Sequence, residues 1–388
     1  MKPLNSLMSG LGTTVFEVMS ALAREHESVN LGQGFPDDKG PEAVRAAAAE
    51  FLLTGHNQYP PMMGLPDLRQ AVAEHAKRFQ GLDIDWQREV LVTSGATEAL
   101  ADCLFGLIEP GDEVVLIEPL YDSYLPIVRR AGGIPRLVRL QPPTWRLPRE
   151  ELAAAFGPKT KLILFNTPMN PCSKVFDREE LEFIAGLCRA HDAYALCDEV
   201  YEHIVFDDRR HVSMMTLPGM RDRTVRIGSA GKSFSLTGWK VGYVTASPDL
   251  MKAIAKTHQF MTFTTPPNLQ WGAATGLRLG DDYFSSLASD MQAKRDRLAG
   301  ALADIGFEVL PTHGTYFVTT DFRPLGFNGT DEDFCRHITV EAGVTAVPVS
   351  AFYDVPEDAP RHLARFCFCK NESTLDQAVT RLRNHFRK

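Results

Sequence analysis

The sequence predicts an α/β protein in two parts: a large domain on a mostly parallel sheet, then a smaller α+β domain. Three observations predict this. A chain of 388 residues is too long for one ordinary core and too short for three. From about residue 88 to 246, short β-rich runs alternate with longer helix-like segments, the signature of parallel strands joined by crossover helices. After about residue 280 that alternation stops.

Taken in order, residues 1–45 read as an arm and linker that join the smaller domain, 46–280 as the large domain and 281–388 as the small one. The strand candidates of the large domain are Glu89–Thr93, Glu113–Glu118, Lys161–Asn166, Ala193–Cys197, Thr224–Gly228 and Val241–Ala246, with helical stretches such as Ala96–Leu107 and Arg178–Ala190 between them. In the small domain a charged helical segment, Asp290–Ile305, precedes strand-like runs Tyr316–Thr320, Val344–Val347 and Arg365–Cys369 and a helix from Thr374. Several strands of the large domain run into polar clusters: Ser94 to Thr97, Asn166 to Lys174, Asp198 to Tyr201, and Ser229 to Lys232. Ligands of open parallel sheets bind at the carboxyl ends of the strands, so these clusters read as one site unrolled along the chain.

Composition narrows the class of ligand. The net charge of −8 is spread evenly, and no Lys/Arg run forms a nucleic-acid footprint, which leaves small molecules as the expected partners. No run resembles a signal peptide, and none is expected to span a membrane. Seven cysteines without framework spacing point to reduced thiols and a cytoplasmic location. Cys367 and Cys369 are expected to face the same way, and without a His or Cys partner set they carry no expectation of metal.

The most informative stretch runs from Ser229 through Lys232, Gly238 and Lys240 to Gly242. A strand ends, small residues let the backbone approach a ligand, and a lysine is presented with a second cation eight positions later. Positive surroundings favour a neutral, nucleophilic amine. A solvated loop lysine is the bland alternative.

This segment resembles the cofactor-lysine signature of class I aminotransferases, enzymes of pyridoxal 5′-phosphate (PLP) fold type I. The resemblance runs from Thr13 to about Arg383. It is nearest to bacterial methionine aminotransferases and the kynurenine–glutamine transaminase group, through Asn30 to Asp37, Asp198 to His203, Thr237 to Gly242 and Gly314 to Phe317. It implies a seven-stranded large-domain sheet, PLP as cofactor, and Lys232 as the catalytic lysine that bonds it. It also implies that Ser229 and Lys240 bind the phosphate together with Gly95, Ala96 and Thr97 at a helix N-terminus. Lys240 stands where most of the family has arginine. Further implications are Asp198 on the pyridine nitrogen, where a carboxylate keeps the nitrogen protonated, Tyr201 and Asn170 on the 3′-oxygen, and Tyr121 stacked on the ring. Cys172-Ser173-Lys174 replaces the usual small residue and Gly after Pro171, and Cys172 is expected only to pack nearby.

For the substrate, the resemblance implies that Arg365 clamps the α-carboxylate, shared with Asn170 and the Gly34 backbone. Arg365 is a lone charge entering an apolar strand, and a buried arginine needs a partner such as a bidentate carboxylate. Tyr59 of the partner subunit and Thr264 of the partner subunit are expected at the phosphate, which implies a homodimer with shared sites. Phe16 and Phe263 are expected as apolar pocket wall. The implied reaction transfers an amino group between an apolar, aromatic or sulfur-containing amino acid and a 2-oxo acid. The rivals are a β-lyase acting on sulfur amino acids, a transaminase for dicarboxylate or N-succinyl substrates, and a non-catalytic regulator of the same fold, which would carry an added DNA-binding domain that is not expected to fit in this length.

Overall fold

The computed structural model describes residues 2–386, so the outermost residues of both terminal segments, 1 and 387–388, lie outside it. Strands in chain order are β1 Val29–Asn30, β2 Val90–Ser94, β3 Glu113–Glu118, β4 Ile134–Arg139, β5 Thr160–Asn166, β6 Tyr194–Asp198, β7 Thr224–Ser229, β8 Val241–Thr245, β9 Glu308–Val309, β10 Phe317–Asp321, β11 Val344–Thr345, β12 Val347–Pro348 and β13 Leu363–Cys367.

Seven of them form one sheet in the order β2-β8-β7-β6-β5-β3-β4. All neighbours run parallel except β8, which is antiparallel to both β2 and β7. Alternate residues feed separate cores. Val114, Leu116, Leu162 and Leu164 pack on one side, Val115, Ile117, Ile163 and Phe165 on the other. A sheet buried on both faces can be read only from its edge, which is where a ligand must enter.

The carboxyl ends of β2, β5, β6 and β7 open on one edge, and the reversed β8 starts there: Ser94 and Ser229 face Val241 and Gly242 across its ladders. That reversal brings Lys240, which precedes β8, to the same edge as the residues that end the other strands.

The C-terminal part holds the antiparallel sheet β12-β13-β10-β9, with the helices Asp281–Ile305 and Glu372–Phe386. The arm joins it in a two-stranded parallel sheet, Val29 opposite Val344 and Asn30 opposite Thr345.

Several boundaries differ from the sequence reading. Strand β4 was not anticipated: it is an edge strand containing Pro135, Arg136 and Arg139, half exposed and so poorly patterned. The run Val344–Val347 divides at Ala346 between two sheets. The strand expected over Arg365–Cys369 lies at Leu363–Cys367, and the helix expected from Asp290 starts at Asp281. One stretch, Ser6–Glu25, is long and apolar enough to cross a bilayer by composition, contrary to expectation. The chain breaks it into helices of 5 and 11 residues, Ser6–Gly10 and Val15–Glu25, each short of the ~20 residues a span needs.

Candidate active site

A cavity of about 370 Å³ opens at this sheet edge. Its wall contains Phe16, Gly34, Gly95, Ala96, Thr97, Tyr121, Asn170, Asp198, Tyr201, Ser229, Lys232, Lys240 and Arg365. Thus thirteen residues singled out in the sequence, scattered over 350 positions, share one space. The size falls within the usual range for a cofactor or small-ligand site.

One end is built for an anion. The helix Gly95–Leu107 begins at Gly95, whose φ of +75° permits a turn that a side chain would strain. A Cβ on Gly242 would lie 2.6 Å from the Gly95 carbonyl carbon, so β8 approaches the start of this helix only because residue 242 is glycine. Lys240 is itself left-handed, at φ +53°, and its Nζ would lie 3.3 Å from a Cβ on Gly95. A cation therefore hangs over helix N–H groups that have no intrahelical partner.

In the middle stand Asp198 and Lys232. Asp198 ends β6 fully buried. Burial raises its carboxyl pKa, while the Tyr124 hydroxyl, donating to Oδ2 at 2.7 Å, pulls it back. Lys232 Nζ donates to the Tyr316 hydroxyl at 3.0 Å, and burial lowers its pKa. The sequence argument attributed a neutral Lys232 to the cation at Lys240. Desolvation is the main cause instead, and the neighbouring cation that adds to it is Arg365.

At the other end Arg365, only 1% exposed, donates to Asn170 Oδ1 at 2.6 Å and to the Gly32 carbonyl at 2.7 Å. Phe317, Phe352 and Phe16 surround its guanidinium with ring centroids at 3.9, 4.9 and 5.4 Å. Its Nε is buried with no hydrogen-bond partner, and burial lowers its pKa to about 10. An enclosed guanidinium with a spare donor fits an anionic ligand group.

The family model for class I and II aminotransferases matches residues 26–382. The chain is 43% identical to a probable N-succinyldiaminopimelate aminotransferase, DapC, of Mycobacterium tuberculosis, over 95% of each chain. It is 39% identical to human kynurenine–oxoglutarate transaminase 1, over 93% of each. The crystal structure of YbdL from Escherichia coli, described with a methionine aminotransferase function, superposes with a TM-score of 0.95 at 39% identity, covering 99% of this chain and 100% of that one. This chain belongs to the class I and II aminotransferases. The resemblance to the methionine and kynurenine groups and the PLP fold type I architecture read from the motifs are borne out. Membership implies dependence on PLP, with an amino acid and a 2-oxo acid as substrates.

Within a single chain of this aminotransferase, Tyr59, Thr264 and Phe263 do not line the cavity. Tyr59 is 81% exposed and meets Phe263 edge-on, ring centroids 5.5 Å apart. Phe263, 41% exposed, follows the helix Pro248–Met261.

Other residues of the aminotransferase site were not anticipated as such. Tyr124 and Tyr316 hold the two central side chains. Asn166 donates to the Asp198 carbonyl at 2.7 Å and accepts from the Asn170 amide at 2.7 Å, so it locks two site loops together. Asn166, one end of a polar cluster, carried a signal. Tyr124 lies inside a helix and carried none.

Two groups have the composition of a metal site, His75 with Glu202 and His203, and Glu98 with Asp102 and His258. In the first, the two imidazoles share a hydrogen bond of 2.7 Å and Glu202 pairs with Arg226. In the second, His258 Nδ1 lies 2.7 Å from Glu98 and 3.5 Å from Asp102. Hydrogen bonds and ion pairs account for both arrangements.

Proposed function

We propose that the aminotransferase uses Lys232 to bond PLP and to move the substrate proton, acting on apolar, aromatic or sulfur-containing amino acids. The observation that carries this reading is one cavity holding a half-buried lysine, a buried carboxylate, a helix N-terminus beside a second lysine, and an arginine with a spare donor.

The cavity residues fit PLP. Gly95, Ala96, Thr97, Ser229 and Lys240 would hold the phosphate, Asp198 the pyridine nitrogen, Asn170 and Tyr201 the 3′-oxygen, and Tyr121 the ring face. When bound, PLP supplies an electron sink that acidifies the Cα–H of an attached amino acid. Arg365 binds the α-carboxylate and, with Asn170 and Gly34, sets the direction of the Cα–H bond. The Lys232 amine, whose charged form burial disfavours, would accept that proton at Nζ and pass it on to the C4′ carbon of PLP. Phe16, Phe317 and Tyr121 exclude water and so strengthen the charge contacts around the reacting atoms.

Further parts of the proposal are a homodimer with Tyr59 of the partner subunit and Thr264 of the partner subunit completing each phosphate site, and a division into residues 1–45, 46–280 and 281–388. The exposed apolar side chains Leu53, Tyr59, Phe260 and Met261 support such a face. Seven free, buried cysteines support a cytoplasmic setting.

A second reading, an N-succinyl amino acid as donor, is favoured by the 43% identity to the Mycobacterium tuberculosis relative. Borohydride reduction of the PLP-loaded protein followed by peptide mapping tests the core of the proposal. Label is expected on Lys232, and Lys232→Ala should abolish both label and transamination. Label on Lys240 would overturn the assignment. A screen of amino donors against 2-oxo acids separates the two substrate readings.

A further inference from the structure

The arm that crosses the cavity is held carbonyl by carbonyl. Leu31 accepts from the Cys367 amide at 2.7 Å, Gly32 from Arg365 at 2.7 Å, Gly34 from the Tyr316 hydroxyl at 2.7 Å and Phe35 from Lys370 at 2.7 Å. Two of these donors face the cavity chemistry as well: Arg365 through its spare donor, and Tyr316 through Lys232.

Tyr316 is fully buried. A buried phenol offers one O–H donor and acceptor lone pairs. Here the donor is committed to the Gly34 carbonyl, so the oxygen acts as acceptor toward Lys232 Nζ, at 3.0 Å, with the Tyr201 hydroxyl as a further hydrogen-bond neighbour. The ring cannot swing away. Tyr201 packs against it edge-on at 5.2 Å and 88°, and a Cβ on Gly34 would lie only 3.2 Å from its Cε2. The acceptor is thus fixed in space by the arm, and an amine donating one N–H to it has its remaining bonds and lone pair oriented.

We infer that Tyr316 is a positioning residue for the transfer step: its hydroxyl, anchored on Gly34, orients the free amine of Lys232 toward the PLP aldehyde, where a C=N bond would form with loss of water, and toward the substrate Cα proton. The proton moves from Cα to Nζ while its bonding electron pair would pass into the PLP electron sink; the ammonium still donates to Tyr316 and would then deliver the proton to the C4′ carbon of PLP, regenerating the neutral amine. Tyr316 itself neither gains nor loses a proton. Phenylalanine would leave both the Gly34 carbonyl and the Lys232 N–H without this partner in a buried site. The inference rests on Lys232 being the reactive lysine.

The test uses wild type and Tyr316→Phe. Borohydride mapping of the wild type decides the underlying assignment independently, since label elsewhere than Lys232 removes that assignment whatever the variant does. Given label on Lys232, PLP is added to cofactor-free Tyr316→Phe and both binding and covalent attachment are followed. Binding is expected within about threefold of wild type, while attachment slows about tenfold. In turnover, kcat should fall by roughly 30-fold with KM nearly unchanged, and the isotope effect of Cα-deuterated substrate should rise. Attachment rate and isotope effect both at wild-type values would overturn the inference. Equal losses in PLP binding and attachment would do so too, since they describe a merely structural tyrosine. Should Tyr316→Phe not fold, 3-fluorotyrosine at position 316 keeps the ring and makes the hydroxyl more acidic. A shift in the pH dependence of attachment is then expected, and an unmoved profile would overturn the inference.

Discussion

The hydroxyl of Tyr124 donates to Oδ2 of Asp198 across 2.7 Å, and both side chains are sealed from solvent. One carboxylate oxygen is thereby fixed, while Oδ1 accepts only a longer bond from the Val200 amide, at 3.4 Å. Burial pushes the Asp198 pKa upward, toward a neutral acid that would be useless beside a pyridinium. The Tyr124 bond opposes that push. Asp198→Asn should therefore retain PLP but lose activity by about a hundredfold or more, because a neutral amide cannot hold the pyridinium proton. Tyr124→Phe should cost about tenfold in kcat/KM, the worth of one hydrogen bond to a charged group. Steady-state kinetics and PLP absorbance check both. Near-wild-type turnover by Asp198→Asn would make Asp198 a structural strand end.

A pH prediction follows from His258. Burial opposes its charge, but hydrogen bonds to Asp102 and Glu98 outweigh that and raise its pKa to about 9. Glu98 and Asp102 face it from the helix Gly95–Leu107, and its Nε2 lies 3.1 Å from the Met62 carbonyl. Between the ordinary histidine value of 6.5 and about 9 the folded chain holds a proton that the unfolded chain has released. This stabilisation is complete below pH ~6.5 and is lost as pH rises through about 9. Asp102, raised to about 6 chiefly by burial, acts in the same sense at lower pH, from 3.8 upward. The melting temperature should fall by a few degrees, roughly, between pH 7 and 10, and His258→Gln should flatten that slope. An identical slope in the variant would sever the link.

Much of the site was legible in the sequence because a parallel sheet gathers its strand ends at one edge. Polar residues placed at the end of an apolar run, as at Asp198 or Asn166, announce themselves against that background. Tyr124 and Tyr316 did not, since an aromatic beside a helix or strand reads as core until its hydroxyl is shown to have a partner. Strand β4 escaped for the opposite reason: as an exposed edge it needs no apolar pattern. The reversed direction of β8 was also invisible, although it alone explains how Lys240 reaches the N-terminus of the helix that starts at Gly95.

The exposed Tyr59 leads to a prediction about shared sites. If it serves the neighbouring subunit, a hybrid dimer of one Tyr59→Phe chain and one Lys232→Ala chain carries both defects in one composite site and none in the other. That intact site should bind PLP as the wild type does, and the hybrid should retain about half of the wild-type activity per dimer. If Tyr59 served its own chain, the sole lysine-bearing site of the hybrid would show the weakened PLP retention of the Tyr59→Phe homodimer. Differently tagged chains, purified as hybrids and titrated with PLP, distinguish the two outcomes.

Substrate preference turns on where a side-chain carboxylate would go. Dicarboxylate-specific members of the family, as the resemblance implies, supply an arginine from the neighbouring subunit four residues before the hydroxyl that meets the phosphate. In this chain Thr264 takes the hydroxyl place and Phe260 the arginine's. Phe260 is 82% exposed in the single chain, as a side chain offered to a neighbour would be. The cations in the cavity wall are Lys232, Lys240 and Arg365, each committed in the proposed mechanism, while Phe16, Phe35, Leu100 and Phe317 contribute apolar surface. A carboxylate desolvated there without a partner would cost several kcal/mol. Methionine, phenylalanine, tyrosine, leucine or glutamine should therefore exceed aspartate by at least about a hundredfold in kcat/KM, which corresponds to ~2.7 kcal/mol at the transition state. Phe260→Arg should narrow that ratio by raising the efficiency with aspartate. Comparable efficiencies of the wild type with aspartate and methionine would mean that another cation reads the side chain, and would return the substrate assignment to the dicarboxylate or N-succinyl class.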